Sequence, residues 1–494
     1  MKRRTIALFM TVIILLGSGI FIGQGTPAYA VTNSQETAVE SLLDEAQRVS
    51  RAPGISVMVF SENEARFFSS GTANLETGKT ADEDTLWELA SVSKAFTALG
   101  ILYLEERGLL SLSDPVAKYL PWLSLRFRGQ PVDMQDLKLY HLMHHTSGFT
   151  SRNTHMTRGE RDTLENAVLD LKGSGLSFYP GERHGYGNEN YIILGLIIEI
   201  VTGQSYETFM REQIFQPLGL HSTFAGRGAA YETGRLAQGY KREFVFFRRE
   251  ASFPGPVGNA PTGLLITSAG DMARWMGIHL GAVDDIPEIF KTIVPRTHGP
   301  GRSVAEEDGS YYAAGWRVNP DGTIIEHGGD SPGFSTYALM FPGEKVAIAV
   351  FSNMGHSNMR DAAYSIKDIL EGDLQPPFGL RPGGMQILDI IFSAGTVIGL
   401  VLAFVFLVLG LHRKKQSETK VPITRKKVVT TILGEVVVSV AIILVLPLII
   451  PGSGGSWQSI LSLVSYSFLT CPIAFMLMSL SMAWLKLISI SAAR

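Results

Sequence analysis

The chain of 494 residues has a single cysteine, Cys471, which lies in an apolar segment near the C-terminus. A disulfide framework within the chain is therefore excluded, and no thiol chemistry is suggested. The chain also lacks an excess of charge, because 43 basic and 46 acidic side chains give a formal net charge of −3. This balance gives no electrostatic signal for a nucleic-acid partner. Internal repeats and low-complexity tracts are absent as well, so long apolar runs are the first informative feature.

The N-terminus has the pattern of an export signal. A basic start at Lys2-Arg3-Arg4 precedes an apolar core at residues 5–22, and Ala28-Tyr29-Ala30 forms a small-x-small cleavage site. We therefore predict that residues 1–30 are a signal peptide. Because the apolar core is long for a signal peptide, an uncleaved anchor remains an alternative.

Three further apolar runs lie near the C-terminus, at about residues 388–411, 428–450 and 460–485. Each is long enough to cross a bilayer as a helix. The loop at residues 412–427 is rich in lysine and arginine, and the positive-inside rule places it in the cytoplasm. We therefore predict a multi-pass protein of a bacterial cell membrane. Its main domain, residues 31–372, is expected outside the cytoplasm, followed by a linker at residues 373–387.

The second apolar run contains a carboxyl group, Glu435. A carboxyl group at that depth is costly and is by default a functional candidate. The alternative is a protonated side chain, or one that reaches the cytoplasmic interface.

The exported segment combines an early hairpin, several helices and late antiparallel strands. We predict strands at residues 54–60, 65–71, 323–326, 335–341 and 345–351, helices at residues 38–49, 137–145, 191–201 and 359–370, and a helix that begins at Asp114-Pro115. This order predicts one α+β domain.

Ser91 and Lys94 lie at the start of a helical run that is apolar on nearly every side and stops near Gly108. Such a helix belongs inside a large domain. The spacing of three residues places the hydroxyl and the amine one turn apart on one face. Ser91 is a candidate nucleophile, since a serine hydroxyl needs a neighbouring base, and a buried lysine has a lowered pKa that suits this task. A serine and a lysine at this spacing are common by chance, so the assignment needs partners.

Two polar clusters supply candidate partners. Tyr186-Gly187-Asn188 lies in a turn before an apolar helix, and His327-Gly328-Gly329 follows a short strand. Each pattern is weak alone, because a tyrosine in a turn and a glycine pair after a strand are usually structural. The glycines would let a substrate approach the edge of the strand closely.

In this order and spacing, Ser91-Val92-Ser93-Lys94, Tyr186-Gly187-Asn188 and His327-Gly328-Gly329 resemble the serine β-lactamase and penicillin-binding-protein superfamily. The branch is similar to class C β-lactamases, D-alanyl-D-alanine carboxypeptidases and related esterases. The resemblance covers about residues 36–370 and not the membrane part. It implies a β-lactamase/transpeptidase-like fold, with an antiparallel sheet, flanking helices and a helical subdomain. Three further stretches match, Leu110-Ser111-Leu112-Ser113-Asp114-Pro115, His144-His145-Thr146-Ser147-Gly148 and Pro261-Thr262-Gly263.

The resemblance also implies roles for the site residues. Ser91 would be acylated, and Lys94 and Tyr186 would share proton transfer, with the resting base disputed in this superfamily. Substrate binding would involve Asn188, Gly329 and Asp330, and the backbone N–H groups of Ser91 and Asp330 would form the oxyanion hole.

His327 departs from the pattern of the superfamily, because many of its members have lysine at this position. Histidine has an ordinary pKa near 6.5, so it is neutral at pH 7 unless its surroundings raise that pKa. We hypothesise that a neutral side chain here weakens carboxylate binding, which makes peptidase or esterase action the better expectation than efficient β-lactam hydrolysis.

Three histidines, His141, His144 and His145, have the spacing of one helix face, which raises zinc binding as an alternative. No carboxylate or cysteine stands at a matching distance in the sequence. We therefore expect no metal and no cofactor.

The favoured function is a membrane-anchored serine hydrolase acting on D-alanyl peptides or esters of the cell envelope. The alternatives are a non-hydrolytic penicillin-binding receptor or sensor, a true class C-type β-lactamase, and a structural envelope protein with a silent site.

Overall fold

The computed structural model describes residues 31–150, 163–245, 247–250, 259–375, 384–416 and 465–492. The predicted signal peptide, the predicted span at residues 428–450 and Glu435 lie outside the described residues.

Helices and strands alternate along the described residues. In chain order, the helices are α1 Asn33–Ser50, α2 Ser93–Glu106, α3 Leu139–Met143, α4 Leu164–Leu169, α5 Glu189–Thr202, α6 Tyr206–Phe209, α7 Arg227–Glu232, α8 Ala260–Gly263, α9 Ala269–His279, α10 Glu288–Arg296, α11 Met359–Leu370, α12 Gly384–Gln416 and α13 Ser467–Ala492. The strands are β1 Gly54–Ser61, β2 Glu64–Asn74, β3 Lys79–Thr80, β4 Leu86–Glu88, β5 Arg126–Phe127, β6 Gln130–Pro131, β7 Gly175–Leu176, β8 Phe224–Ala225, β9 Tyr240–Glu243, β10 Phe247–Glu250, β11 Leu265–Ser268, β12 Tyr311–Tyr312, β13 Arg317–Val318, β14 Ile325–Asp330, β15 Ser335–Phe341 and β16 Val346–Ser352.

The main sheet has the strand order β12-β13-β14-β15-β16-β1-β2-β3, and its neighbouring strands are antiparallel. Strand β1 shows why the sheet is covered on both faces. Its side chains alternate, so Met58 and Phe60 enter one hydrophobic cluster while Val57 and Val59 enter another. Helices α1 and α11 pack on the second cluster. The helical subdomain, centred on α2, packs on the first.

Helix α2 is buried along almost its whole length, as its all-round apolar pattern predicts. A short 3-10 turn, Ala90–Val92, leads into it and carries Ser91. Strand β14 packs against this turn, which brings the late strands to the start of the early helix. The chain therefore has an α+β fold with a large antiparallel sheet.

Two predicted helices are wrong in extent. After Pro115 the chain forms only a 3-10 turn at Val116–Lys118, because the Asp114 carboxylate accepts hydrogen bonds within its own loop, from the Ser111 N–H at 2.9 Å and the Tyr119 hydroxyl at 2.6 Å. The helix predicted at residues 137–145 is confined to α3, since His145 has a φ of 55° and turns the chain.

Helices α12 and α13 pack against each other and run in the same direction. Gly395 lies against Cys471 near their N-termini, and Gly410 lies against Trp484 further along both helices. Glycine at these contacts lets the helix backbones approach closely. Within the described residues, Gln386–His412 and Ser467–Leu485 are long and apolar enough to cross a membrane. Helix α12 begins at Gly384, within the segment predicted as a linker at residues 373–387.

Candidate active site

Ser91 and Lys94 face each other at the N-terminal end of α2. Lys94 Nζ lies 3.1 Å from Ser91 Oγ, a distance at which one group can take a proton from the other. The same nitrogen donates to the Thr262 carbonyl at 2.8 Å, so the short helix α8 orients the amine. The serine and lysine predicted from their spacing are therefore in contact.

The surroundings of Lys94 favour an uncharged amine. The side chain is fully buried, and burial lowers the pKa of Lys94 well below its usual range, with the charge of Glu189 opposing part of that effect. Its Nζ lies 4.8 Å from the centre of the Tyr186 ring and 5.9 Å from that of Tyr191. A neutral amine beside a serine hydroxyl is a suitable general base.

The backbone around Ser91 is held in an unusual conformation. Ala90 has a φ of 44°, a left-handed value that alanine rarely adopts, and Gly329 of β14 packs directly on this turn. A Cβ atom at Gly329 would lie 2.2 Å from the Leu89 carbonyl oxygen and 3.2 Å from the Ser91 nitrogen. Glycine is therefore needed at this position because of close backbone approach.

Tyr186 reaches the same site from the turn before α5. His145 packs on its ring with centroids 4.3 Å apart, and the His145 Nδ1 accepts a hydrogen bond from Asn190 Nδ2 at 2.7 Å. The Tyr186 hydroxyl is buried and makes no hydrogen bond of ordinary geometry within the described residues. Burial raises the pKa of Tyr186 above its usual range, and the neighbouring Ser91 hydroxyl lowers it in part. The phenol is therefore protonated at neutral pH.

His327 is a buried, neutral side chain. Its Nδ1 donates to the Gly328 carbonyl at 2.7 Å, and its Nε2 accepts from the Tyr312 hydroxyl at 2.9 Å. Burial lowers the pKa of His327 to about 3. The neutral state expected from the residue type is thus reinforced by the surroundings.

Ser91 lies between two cavities. The larger one, about 520 Å³, extends along β14 past His327 to Tyr337 and Arg360. The smaller one, about 80 Å³, lies on the other side and is lined by Asn188 and Thr262 among others. Ser91 and Asp330 line both cavities, so a carbonyl group at Ser91 can place its two substituents in different spaces.

Asn188, Gly329 and Asp330 are brought to Ser91 as predicted, although their roles stay predictions. The Asn188 side-chain oxygen accepts from Thr262 Oγ1 at 2.9 Å, which orients the amide in the smaller cavity. Asp330 ends β14, and its carboxylate accepts from the His356 N–H at 3.1 Å.

Sequence reasoning missed Tyr312, and the histidines that raised zinc binding as an alternative make structural contacts. Tyr312 anchors His327, and its carbonyl accepts from His144 Nδ1 at 3.0 Å. The Nδ1 of His141 accepts from the Lys138 N–H at 3.1 Å. No group of three or more histidine, cysteine or acidic side chains in the described ranges is arranged to hold a metal ion. Tyr312 follows another tyrosine in a short strand, and no spacing in the sequence distinguishes it.

Two histidines, the buried His327 and the partly buried His298, predict acid sensitivity of the fold. Burial lowers the pKa of His298 to about 4 and that of His327 to about 3, whereas an unfolded histidine titrates near 6.5. The unfolded state therefore binds more protons below pH 6.5, and stability falls as the pH falls. We expect each histidine to cost about 2 kcal/mol between pH 7 and pH 5.

Urea unfolding followed by tryptophan fluorescence at several pH values measures this loss. His298→Asn should reduce the dependence on pH, because it removes one of the two groups that titrate differently in the folded and unfolded states. Equal unfolding free energies at pH 7 and pH 5 in the wild type would contradict the prediction.

The fold and the site together define a serine hydrolase-like protein with a β-lactamase/transpeptidase architecture. A model of the Beta-lactamase family matches residues 39–371, well over half of the chain. The chain therefore belongs to the Beta-lactamase family, and the resemblance to its class C-like members is confirmed.

Individual relatives agree with this assignment. Protein flp from Staphylococcus aureus (strain MW2) is 28% identical over 333 residues, which cover 66% of this chain and 64% of that protein. A Beta-lactamase from Yersinia enterocolitica is 27% identical over 378 residues, covering 68% of this chain and 91% of its own length. The Beta-lactamase/D-Alanine Carboxypeptidase from Pseudomonas syringae has a similar structure, with a TM-score of 0.58 at 20% identity, covering 68% of this chain and 99% of its own. That likeness concerns the fold alone.

Proposed function

We propose that this protein is a membrane-anchored serine hydrolase whose catalytic domain lies outside the cytoplasm. It acts through an acyl-enzyme on Ser91, with D-alanyl peptides or esters of the bacterial cell envelope as substrates. The observation that carries the proposal is the 3.1 Å contact between Lys94 Nζ and Ser91 Oγ at the wall of a cavity. Membership of the Beta-lactamase family supports the hydrolase class.

In the proposed reaction, Lys94 accepts the Ser91 proton while Oγ attacks the substrate carbonyl carbon. A bond forms between Oγ and that carbon, and the oxyanion is stabilised by the N–H groups of Ser91 and Asp330. The bond to the leaving nitrogen or oxygen then breaks as Tyr186 donates its phenolic proton to that atom and takes up the proton held by Lys94, so that both side chains return to their starting states. Water next attacks the ester on Ser91, which releases the acid and restores the serine hydroxyl.

The charge of the larger cavity supports substrates without a carboxylate beside the reacting carbonyl, such as esters. His327 is neutral, and the two guanidinium groups on the cavity wall are both near carboxylates. Arg317 lies 2.9 Å from Glu306, and Arg360 lies 3.8 Å from Glu326. A substrate carboxylate therefore meets positive charge that is already partly neutralised. This supports the hypothesis that β-lactam hydrolysis is inefficient. Because a C-terminal D-alanyl-D-alanine peptide also presents a carboxylate, the same charge favours esters over such peptides.

The C-terminal helices support the membrane part of the proposal. Helices α12 and α13 run in the same direction. If both cross the membrane, the chain between them must cross it once in the opposite direction. A third crossing in the predicted run at residues 428–450 satisfies this requirement, with the basic loop at residues 412–427 in the cytoplasm. Both helix N-termini contact the globular domain, which agrees with an extracytoplasmic position for that domain.

The test is to compare the purified protein with a Ser91→Ala variant, using a fluorescent penicillin and a small ester. We expect slow, Ser91-dependent labelling by the penicillin and ester turnover that falls by about 10³-fold or more in the variant. Turnover that survives Ser91→Ala would refute the proposal. A permanent label without turnover of any ester or peptide would instead indicate the receptor, and fast penicillin hydrolysis a true β-lactamase.

A receptor is the second candidate because one structural observation favours it. The N-termini of α12 and α13 are hydrogen-bonded to the globular domain rather than joined to it only by the chain. A change in that domain on acylation therefore has a physical route to the helices.

A further inference from the structure

The hairpin of β9 and β10 contacts both C-terminal helices through directed hydrogen bonds. At its tip, the Val245 N–H donates to the Asp389 carboxylate of α12 at 2.8 Å. The Phe244 N–H donates to Ser465 Oγ, at the start of α13, at 3.1 Å. The Glu243 carboxylate accepts from the Tyr466 N–H at 2.7 Å. The hairpin tip is therefore hydrogen-bonded to the N-terminal ends of both helices.

Asp389 joins the three elements at this junction. Its side chain is buried, and besides the hairpin it accepts from Ser467 Oγ of α13 at 2.6 Å. A buried carboxylate that accepts from both a hairpin amide and a helix hydroxyl fixes the positions of its partners, because losing either bond leaves a desolvated charge.

Arg242 of β9 extends this junction towards the active site. The side chain is 6% exposed, and its guanidinium donates to the Ser50 carbonyl at 2.6 Å and to the His356 carbonyl at 3.0 Å. Burial lowers the pKa of Arg242 to about 10, and the carboxylates of Asp389 and Asp330 oppose that shift. The two carboxylates therefore act on the guanidinium through their charge, whereas its hydrogen bonds go to the two carbonyl groups. The geometric link to Asp389 is the hairpin itself, in which Val245 lies three residues after Arg242.

The final contacts reach the end of β14. The N–H of His356, whose carbonyl binds Arg242, donates to the Asp330 carboxylate at 3.1 Å. The Ser335 hydroxyl donates to the same oxygen of Asp330. These bonds fix the position of Asp330, which follows Gly329 where β14 packs on the turn that carries Ser91.

We propose that Arg242 is a positioning residue that couples Asp389 of the membrane helix to Asp330, so that the docked helices help to hold the oxyanion-binding end of β14. The proposal rests on the proposed function for the role of the Asp330 N–H. It makes the helix pair part of the catalytic unit, in addition to its role as an anchor.

The test uses the full-length protein in detergent with three variants. Arg242→Met removes the guanidinium, Asp389→Asn removes the charge but keeps an acceptor oxygen, and Arg242→Lys restores a charge with fewer donors. We expect kcat for an ester to fall about tenfold in Arg242→Met and about threefold in Asp389→Asn, with KM changed less than about twofold. Arg242→Lys should recover part of the rate. Hydrogen exchange over residues 327–331 should be at least about threefold faster in the first two variants.

Arg248→Met is the matched control. Arg248 is an exposed guanidinium of the same hairpin that donates to the Arg51 carbonyl at 2.7 Å. If Arg242→Met and Arg248→Met lose equal activity together with equal thermal stability, the effect is general destabilisation and the proposal is overturned. The proposal is also overturned if hydrogen exchange over residues 327–331 proceeds at the wild-type rate in both Arg242→Met and Asp389→Asn. This outcome does not depend on whether any substrate is turned over. Failure of the wild type to react at Ser91 instead overturns the proposed function, and the exchange experiment still decides the coupling.

Discussion

Replacing Lys94 with methionine is expected to lower the acylation rate of Ser91 by about 10²–10⁴-fold, the usual contribution of a general base. The change should leave the free energy of unfolding within about 2 kcal/mol of the wild type. Two opposing effects lead to this expectation. Removing a buried amine relieves its desolvation, whereas the Thr262 carbonyl loses the donor that now lies 2.8 Å away. Stopped-flow labelling with a fluorescent penicillin and urea unfolding measure the two quantities.

Lys118→Met is a suitable control for this experiment. Lys118 is a solvent-exposed lysine that pairs with Asp114 at 2.8 Å, away from the cavities, and its loss should change neither rate nor stability appreciably. A Lys94→Met protein that is acylated at the wild-type rate would show that another group is the resting base. Tyr186 would then be the next candidate.

Replacing Gly329 with alanine should lower kcat/KM by about 10²–10³-fold, comparable to the loss of one oxyanion donor. The added methyl group cannot fit while its carbon lies 2.2 Å from the Leu89 carbonyl oxygen. Strand β14 must therefore move away from the turn that carries Ser91, which separates the Ser91 and Asp330 N–H groups. The crowding should also cost about 1–3 kcal/mol of stability. Steady-state kinetics on an ester and thermal unfolding test both expectations.

Gly343→Ala controls for the general effect of changing glycine. Gly343 lies in a 3-10 turn where an added Cβ meets nothing within 4 Å, so activity and stability should stay near wild type. Normal kinetics in a folded Gly329→Ala protein would mean that the two N–H groups do not act together.

The parts of the site that could be predicted are those encoded over short stretches. Ser91 and Lys94 are three residues apart on one turn, so helical geometry alone brings them together. Strand β15 and helix α11 have the predicted bounds, because their apolar patterns are regular. Tyr186, Asn188 and His327 could be assigned only through the family resemblance, since nothing local connects them with Ser91.

The parts that could not be predicted depend on contacts between distant residues. Arg242 bonds to His356, which is 114 positions away, and no periodicity in either segment indicates that pairing. The Tyr312 contact with His327 depends on how β12 and β14 pack through the intervening strand β13. The helix predicted at Asp114-Pro115 failed for the opposite reason, because side-chain bonds inside the loop competed with a plausible helix start.

Strand β14 carries the His327 side chain, the Gly329 contact and the Asp330 amide within four consecutive residues. A leaving group too bulky for the space beside His327 would therefore push on the same short strand that, in the proposed mechanism, presents the Asp330 amide to the reacting carbonyl. We expect such a compound to bind but to react slowly, because strand β14 is displaced when negative charge develops on the carbonyl oxygen. The protein would then discriminate between substrates through kcat rather than through binding affinity. Poor substrates would act as competitive inhibitors.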